Sequence, residues 1–146
     1  MSKDNFYKLI MDYSALTGLT QPGKVIDGAP VCVDDVLFSF VYDQESNPDE
    51  IYICGDLGPL SEKLQEEDQR ALLSANLDFY VDYNVCFGLS PVNGHAVICL
   101  RSRLGALTPK DLRDQLETAA CIAKAWNISA DGGGYWQDKP PAPPHR

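Results

Sequence analysis

Basic residues are scarce in this sequence. Twelve Lys and Arg face 21 Asp and Glu, which gives a formal net charge of −9 and a pI near 4.5. Nucleic-acid binders draw affinity from basic patches that displace counterions, and anionic membranes attract basic segments, so both partner classes are disfavoured. No stretch approaches the ~20 apolar residues of a membrane span. Met1-Ser2-Lys3-Asp4-Asn5 lacks the apolar core of a signal peptide, so a cytoplasmic protein without membrane insertion is expected. Histidine is limited to His95 and His145. Neither neighbours a Ser or Cys in a nucleophile motif, and metal-ligand spacings are absent. The cysteines, Cys32, Cys54, Cys86, Cys99 and Cys121, are odd in number and include no CxxC pair. They are expected to be reduced, mostly buried thiols acting as small hydrophobes.

What is present suits a single globular domain. A chain of 146 residues with 45% apolar content is long enough to build one core. Asp43, Glu45, Asp49, Glu50 and Asp56 have no Lys or Arg among them, but they lack the alternate spacing, central Gly and late Glu of a calcium loop. They form either a solvated acidic edge or a docking surface for a basic segment. Gly132-Gly133-Gly134 follows no strand and opens no helix, which excludes a phosphate loop.

Periodicity predicts a first helix over residues 4–17, with Gly18 just past its end. Phe6, Leu9, Ile10, Tyr13 and Leu16 form its core stripe. Tyr7, Met11 and Ala15 fall outside that stripe, so the helix is either buried on two sides or presents a second face to a partner. Residues 21–23 read as a turn, 25–33 as a weak strand and Asp34-Asp35 as the next turn. Residues 36–42 read as a strong strand, with Val36, Phe38, Phe40 and Tyr42 on one face and Leu37 and Val41 on the other. Residues 51–54 make a short third strand. A second helix is predicted from Ser61 as N-cap, charged over 62–69 and apolar over 70–77. Residues 78–88 alternate, with Phe79, Val81, Tyr83, Val85 and Phe87 on one face, and read as a strand. Asn93-Gly94 turns the chain into a partner strand over 95–103, with Ala96, Ile98 and Leu100 facing in. Thr108-Pro109-Lys110-Asp111 starts a third helix that carries Leu112, Leu116, Ala119, Ala120, Ala123 and Trp126. The fold class is α+β: an antiparallel sheet packed with three helices in the order α-β-β-β-α-β-β-α. Residues 1–127 form the domain, and 128–146 form a flexible Gly/Pro-rich tail.

Leu72-Leu73-Ser74-Ala75-Asn76-Leu77, the apolar strand ending in Leu57-Gly58, Gly88-Leu89-Ser90, the Asn93-Gly94 hairpin and the leucine-patterned last helix occur in one order. This order, in a small acidic chain, resembles the class I type III secretion chaperones, the Tir-chaperone (CesT-like) family, from about Phe6 to Trp126. The resemblance implies a homodimer, not an enzyme, that needs no cofactor or metal. It implies a bacterial cytoplasmic protein that binds the N-terminal segment of a secreted effector protein, keeps it extended and soluble and delivers it to the secretion apparatus, with the secretion ATPase as a further partner. On this reading Tyr7, Met11, Leu37 and Val41 meet the effector. Leu72, Leu73, Asn76, Phe79, Val81 and Tyr83 form the dimer interface. The alternatives are a regulatory protein-binding adaptor on the same fold and a small cysteine- or carboxylate-dependent enzyme.

Overall fold

The computed structural model describes the backbone of residues 2–63, 65–83 and 85–132, and their side chains except those of 2, 80–83 and 127–132. The elements run α1 (Ser2–Thr17), α2 (Pro22–Ile26), β1 (Val31–Val33), β2 (Val36–Val41), β3 (Glu50–Gly58), α3 (Gln65–Tyr83), β4 (Val85–Leu89), β5 (Ala96–Arg103), a 3-10 turn (Leu104–Ala106) and α4 (Pro109–Gly132). The strands form one antiparallel sheet in the order β1-β2-β3-β5-β4. This is the expected α+β arrangement, with one short helix added.

Local chemistry explains most boundaries. α1 stops where Gly18 enters the left-handed region (φ 75°) and donates its N–H to the Ser14 carbonyl at 2.9 Å. Asp34 and Asp35 both take positive φ (49° and 68°), which closes a two-residue hairpin between the paired Val33 and Val36. α4 opens on a reciprocal cap. The Asp111 N–H donates to Thr108 Oγ1 at 3.1 Å, and the Thr108 N–H donates to Asp111 Oδ2 at 3.2 Å.

The core lies on one face of the sheet. Val36, Phe38 and Phe40 of β2, Ile51, Ile53 and Leu57 of β3, and Ala96, Ile98 and Leu100 of β5 turn inward. There they meet Phe6, Leu9, Ile10 and Tyr13 of α1 and Leu112, Leu116, Ala120 and Trp126 of α4. Phe6 stacks on Tyr42 just past β2, with centroids 4.8 Å apart and planes at 12°. α3 joins the same core through Leu72, Ala75 and Phe79. The Phe79 ring meets Phe87 edge-on at 5.4 Å.

Several expectations are corrected. Residues 78–83 continue α3 and do not begin a strand; β4 starts only at Val85. Leu72, Ala75 and Phe79 sit three and four residues apart, so burial follows the helical period through Phe79. Ser61 is not the helix start: α3 begins at Gln65, and the buried Asp68 accepts the Ser61 backbone N–H at 2.7 Å. Part of the expected turn and weak strand at 21–33 is α2, opened by Pro22 at its first positions, and only Val31–Val33 is strand. β3 is longer than expected. α4 continues past Trp126 to Gly132, so the first residues assigned to the tail are helical, while 133–146 lie outside the described residues. Leu16 is exposed and not in the core. No cysteine is fully buried: Cys32, Cys86 and Cys121 are exposed, and Cys54 and Cys99 are half-buried. The four strand cysteines alternate with the inward residues and therefore point to the face away from the core.

Gly55, inward-facing on β3, is a packing constraint. A Cβ there would lie 2.7 Å from Phe38 Cε1 and 2.9 Å from Ile98 Cγ2, because side chains of both flanking strands close over it. Gly55→Ala is expected to destabilise the fold by about 1–3 kcal/mol, read as a lower midpoint in urea unfolding at unchanged slope.

Candidate protein-binding site

The two edges of the sheet are treated differently. At the β4 edge, Asn76 of α3 pairs with both backbone groups of one strand residue. The Phe87 N–H donates to Asn76 Oδ1 at 2.7 Å, and Asn76 Nδ2 donates to the Phe87 carbonyl at 3.3 Å. A side-chain amide thereby stands in for a neighbouring strand. Asn76 can do this because Leu72, Ala75 and Phe79 hold its helix against β4. At the other edge, β1 pairs only with β2, and among the described residues no backbone group pairs with its outer side. An uncovered strand edge is a template for another extended chain.

A groove of about 390 Å³ lies beside that edge. Its walls are Leu16 near the end of α1, Leu19 just past it, Val31, Cys32 and Val33 of β1, and Arg113 and Glu117 of α4. Tyr13 lies in its lining and is nearly inaccessible. Burial, reinforced by the Glu117 charge, pushes the Tyr13 phenol above its ordinary value, so it stays protonated at neutral pH. The groove offers apolar walls, an Arg and a Glu. Among the described residues, no group of three or more His, Cys, Asp or Glu is placed to hold a metal.

The four residues expected at an effector site do not form one patch. Tyr7 and Met11 are exposed on α1, with the Lys3 ammonium 5.5 Å from the Tyr7 ring centroid. Leu16 lies ~180° around the helix from Tyr7, so the groove and the Tyr7–Met11 flank border the core stripe on opposite sides. The apolar excess of α1 therefore resolves into two flanks. Leu37 and Val41 are exposed on the outer face of β2. Leu37 is the cross-strand partner of Cys32, one strand in from the open edge, which links it to the β1 region.

The residues expected at a dimer interface also divide. Leu72 and Phe79 are buried inside the protomer, and Asn76 is engaged with β4. The side chains of Val81 and Tyr83 lie outside the described residues. Leu73 remains exposed (71%), joined by Leu77 (82%) one turn later. Sequence reasoning missed Leu77, Leu16, Leu19 and the β1 edge. Pro30, just before a short strand, was a usable signal for an edge position.

The model of the Tir chaperone protein (CesT) family matches residues 35–127. The comparison with curated proteins found no significant match. Among solved structures, a chain of the ExsC–ExsE complex is 16% identical, with 86% of this chain and 93% of that chain covered and a TM-score of 0.67. A chain of the HopA1–SchA chaperone–effector complex is 16% identical, with 88% and 97% covered and a TM-score of 0.68. A chain of the Yersinia pestis type III secretion chaperone SycH with a fragment of YscM2 is 14% identical, with 82% and 97% covered and a TM-score of 0.56. These likenesses extend over the sheet and its helices and establish a shared fold.

Asn76→Ala removes both bonds to Phe87 and reopens the β4 edge. It should cost about 1–3 kcal/mol in chemical unfolding, because two partly buried backbone groups lose their partner. Amide exchange at Phe87 should accelerate while β1 amides are unchanged.

Proposed function

The chain belongs to the Tir chaperone protein (CesT) family, and on that premise we propose that it holds the N-terminal segment of a secreted effector extended along the open β1 edge. The observation that carries this reading is the asymmetry of the sheet. At one edge Asn76 engages the β4 backbone, and among the described residues the other edge pairs with nothing on its outer side, beside a groove walled in part by Leu16, Leu19, Val31 and Val33. A strand added to β1 would turn alternate side chains to opposite faces. One set would enter the groove against Leu16 and Leu19, and the other would lie on the outer face near Cys32 and Leu37. Further along the segment, Val41 and the Tyr7–Met11 flank supply additional apolar contacts. Main-chain hydrogen bonds tolerate many sequences, and the pockets select among them. A segment so engaged stays out of the effector's own core, which keeps it soluble for hand-over to the secretion apparatus and its ATPase.

The same reading includes a homodimer through the outward side of α3, centred on Leu73 and Leu77. Their exposure supports this, since two leucines one turn apart form an apolar stripe that water solvates poorly. Leu72 and Phe79 contribute indirectly, by fixing α3 against its own core.

Effector capture is tested by coexpression with the product of the neighbouring open reading frame, followed by affinity purification. Leu16→Glu and Leu37→Glu should each weaken capture about tenfold, and Met11→Glu and Val41→Glu by less, with circular dichroism unchanged in all four. Amides of Val31–Val33 should gain exchange protection in the complex. Undiminished capture by folded Leu16→Glu and Leu37→Glu would move the site elsewhere. A steep fall of binding with salt would point to the acidic loop instead.

The dimer is tested by light scattering. Leu73→Asp should yield a folded monomer, because its side chain is solvent-facing in the protomer. Leu72→Asp should instead unfold the chain, because it places a carboxylate in the core. A wild-type monomer at micromolar concentration would refute the assembly.

A further inference from the structure

The outer face of the sheet carries three thiols in one transverse row. Cys86 of β4 is the cross-strand partner of Cys99 of β5, and Cys99 is in turn the partner of Cys54 of β3. Ser39 of β2 continues the row beside Cys54. The Cys54 and Cys99 sulfurs are 3.5 Å apart, within hydrogen-bonding distance. Both side chains are half-buried, so small oxidants reach them while bulk contact is restricted. Core packing does not account for this row, since it lies on the face away from the core.

We propose that Cys54 and Cys99 form a peroxide-responsive dithiol site, which closes to a cross-strand disulfide on the outer face of the sheet. The site requires no bound effector. Directly opposed residues in an antiparallel pair hold their Cα atoms about 4.5–5.5 Å apart, inside the range that a disulfide spans. Bonding therefore needs side-chain rotation and a sulfur approach to about 2.05 Å, without a shift of strand register. The shared hydrogen bond also prepares the nucleophile. Donation from the Cys99 thiol lowers Cys54 to about 7, and the same bond, with burial, pushes Cys99 up.

The chemistry balances with hydrogen peroxide as oxidant. The Cys54 thiolate attacks one peroxide oxygen; an S–O bond forms, the O–O bond breaks, and the departing hydroxide takes up a proton to become water. The Cys99 sulfur then attacks the sulfenic sulfur of Cys54. An S–S bond forms, the S–O bond breaks, and a second water leaves with the Cys99 proton. The two sulfurs together lose two electrons, and the peroxide gains them. Thiol–disulfide exchange with a cellular dithiol would reverse the step.

The test uses the full chain in the assembly it forms, treated with one equivalent of hydrogen peroxide and then alkylated. Two of the five thiols should become unreactive, with a mass loss of two hydrogens per chain, restored by dithiothreitol. Trypsin leaves Cys32 on the same peptide as Cys54, and Cys86 on the same peptide as Cys99. The pairing is therefore read in the Cys32→Ser, Cys86→Ser, Cys121→Ser variant, where a linked peptide pair must join Cys54 to Cys99. The wild type should yield the same link when fragmented by tandem mass spectrometry. Adding Cys54→Ser should abolish the link. Sulfinic acid without a link in the folded triple variant would overturn the proposal. So would a dominant Cys86–Cys99 bond in the wild type, or loss of thiols only through bonds between chains.

Discussion

The structure depends on a sheet whose core lies on one face only. β3 and β5 lie at its centre, and their inward residues Ile51, Ile53, Ile98 and Leu100 meet the buried sides of α1 and α4. Burying each such side chain is worth roughly 1.5–3 kcal/mol, so this face dominates stability. The consequence appears on the other face. Leu37, Val41 and the strand cysteines occupy the alternate positions, and among the described residues no element packs them into the core. Apolar groups that would be core residues in a two-sided sheet are here available for contact.

A one-sided sheet also has two edges to protect, and among the described residues only the β4 edge has a partner on its outer side. Asn76 is polar within an apolar run because it bonds the backbone amide and carbonyl of Phe87, which the leucines beside it cannot do. The run around it therefore serves two surfaces. Leu72 and Ala75 point to the core, Leu73 and Leu77 point to solvent, and Asn76 points to the strand edge. Among the described residues, nothing equivalent guards β1. Its edge has only the shortness of the strand, which is three residues long.

Much of this was legible before the structure. The inward and outward sets of β2, the Asp34-Asp35 and Asn93-Gly94 turns, the Thr108 cap and the strand order along the chain all follow from local rules. The end of α3 was not. Phe79, Val81, Tyr83, Val85 and Phe87 satisfy a period of two, and Leu72, Ala75 and Phe79 satisfy a helical one. The two patterns overlap at Phe79, and local periodicity does not decide between them. Packing decides: the helix must run on until Phe79 reaches Phe87. Leu16 was misplaced for a related reason. It fits the α1 stripe in spacing, but the helix ends at Thr17, where the sheet no longer covers it and the groove begins. The cysteines were misread because an apolar neighbourhood in sequence was taken as burial, whereas alternation sends every second residue to the uncovered face.

The groove and the thiol row occupy different parts of the same architecture, and the strand order keeps them apart. The groove borders β1, while Cys54 and Cys99 sit on β3 and β5, two and three strands inward. That central pair is the longest in the sheet, in register from Glu50 opposite Arg103 to Asp56 opposite Val97, with a bulge before Gly58 meets Ala96. A cross-link placed there joins residues already held opposite each other, so it changes the chemistry of the outer face without re-registering the strands. The same cross-link at β1 would be a different matter, because a three-residue strand has few bonds to resist distortion. The position of the thiols thus separates a chemical change on the sheet from the edge that is free to accept another chain.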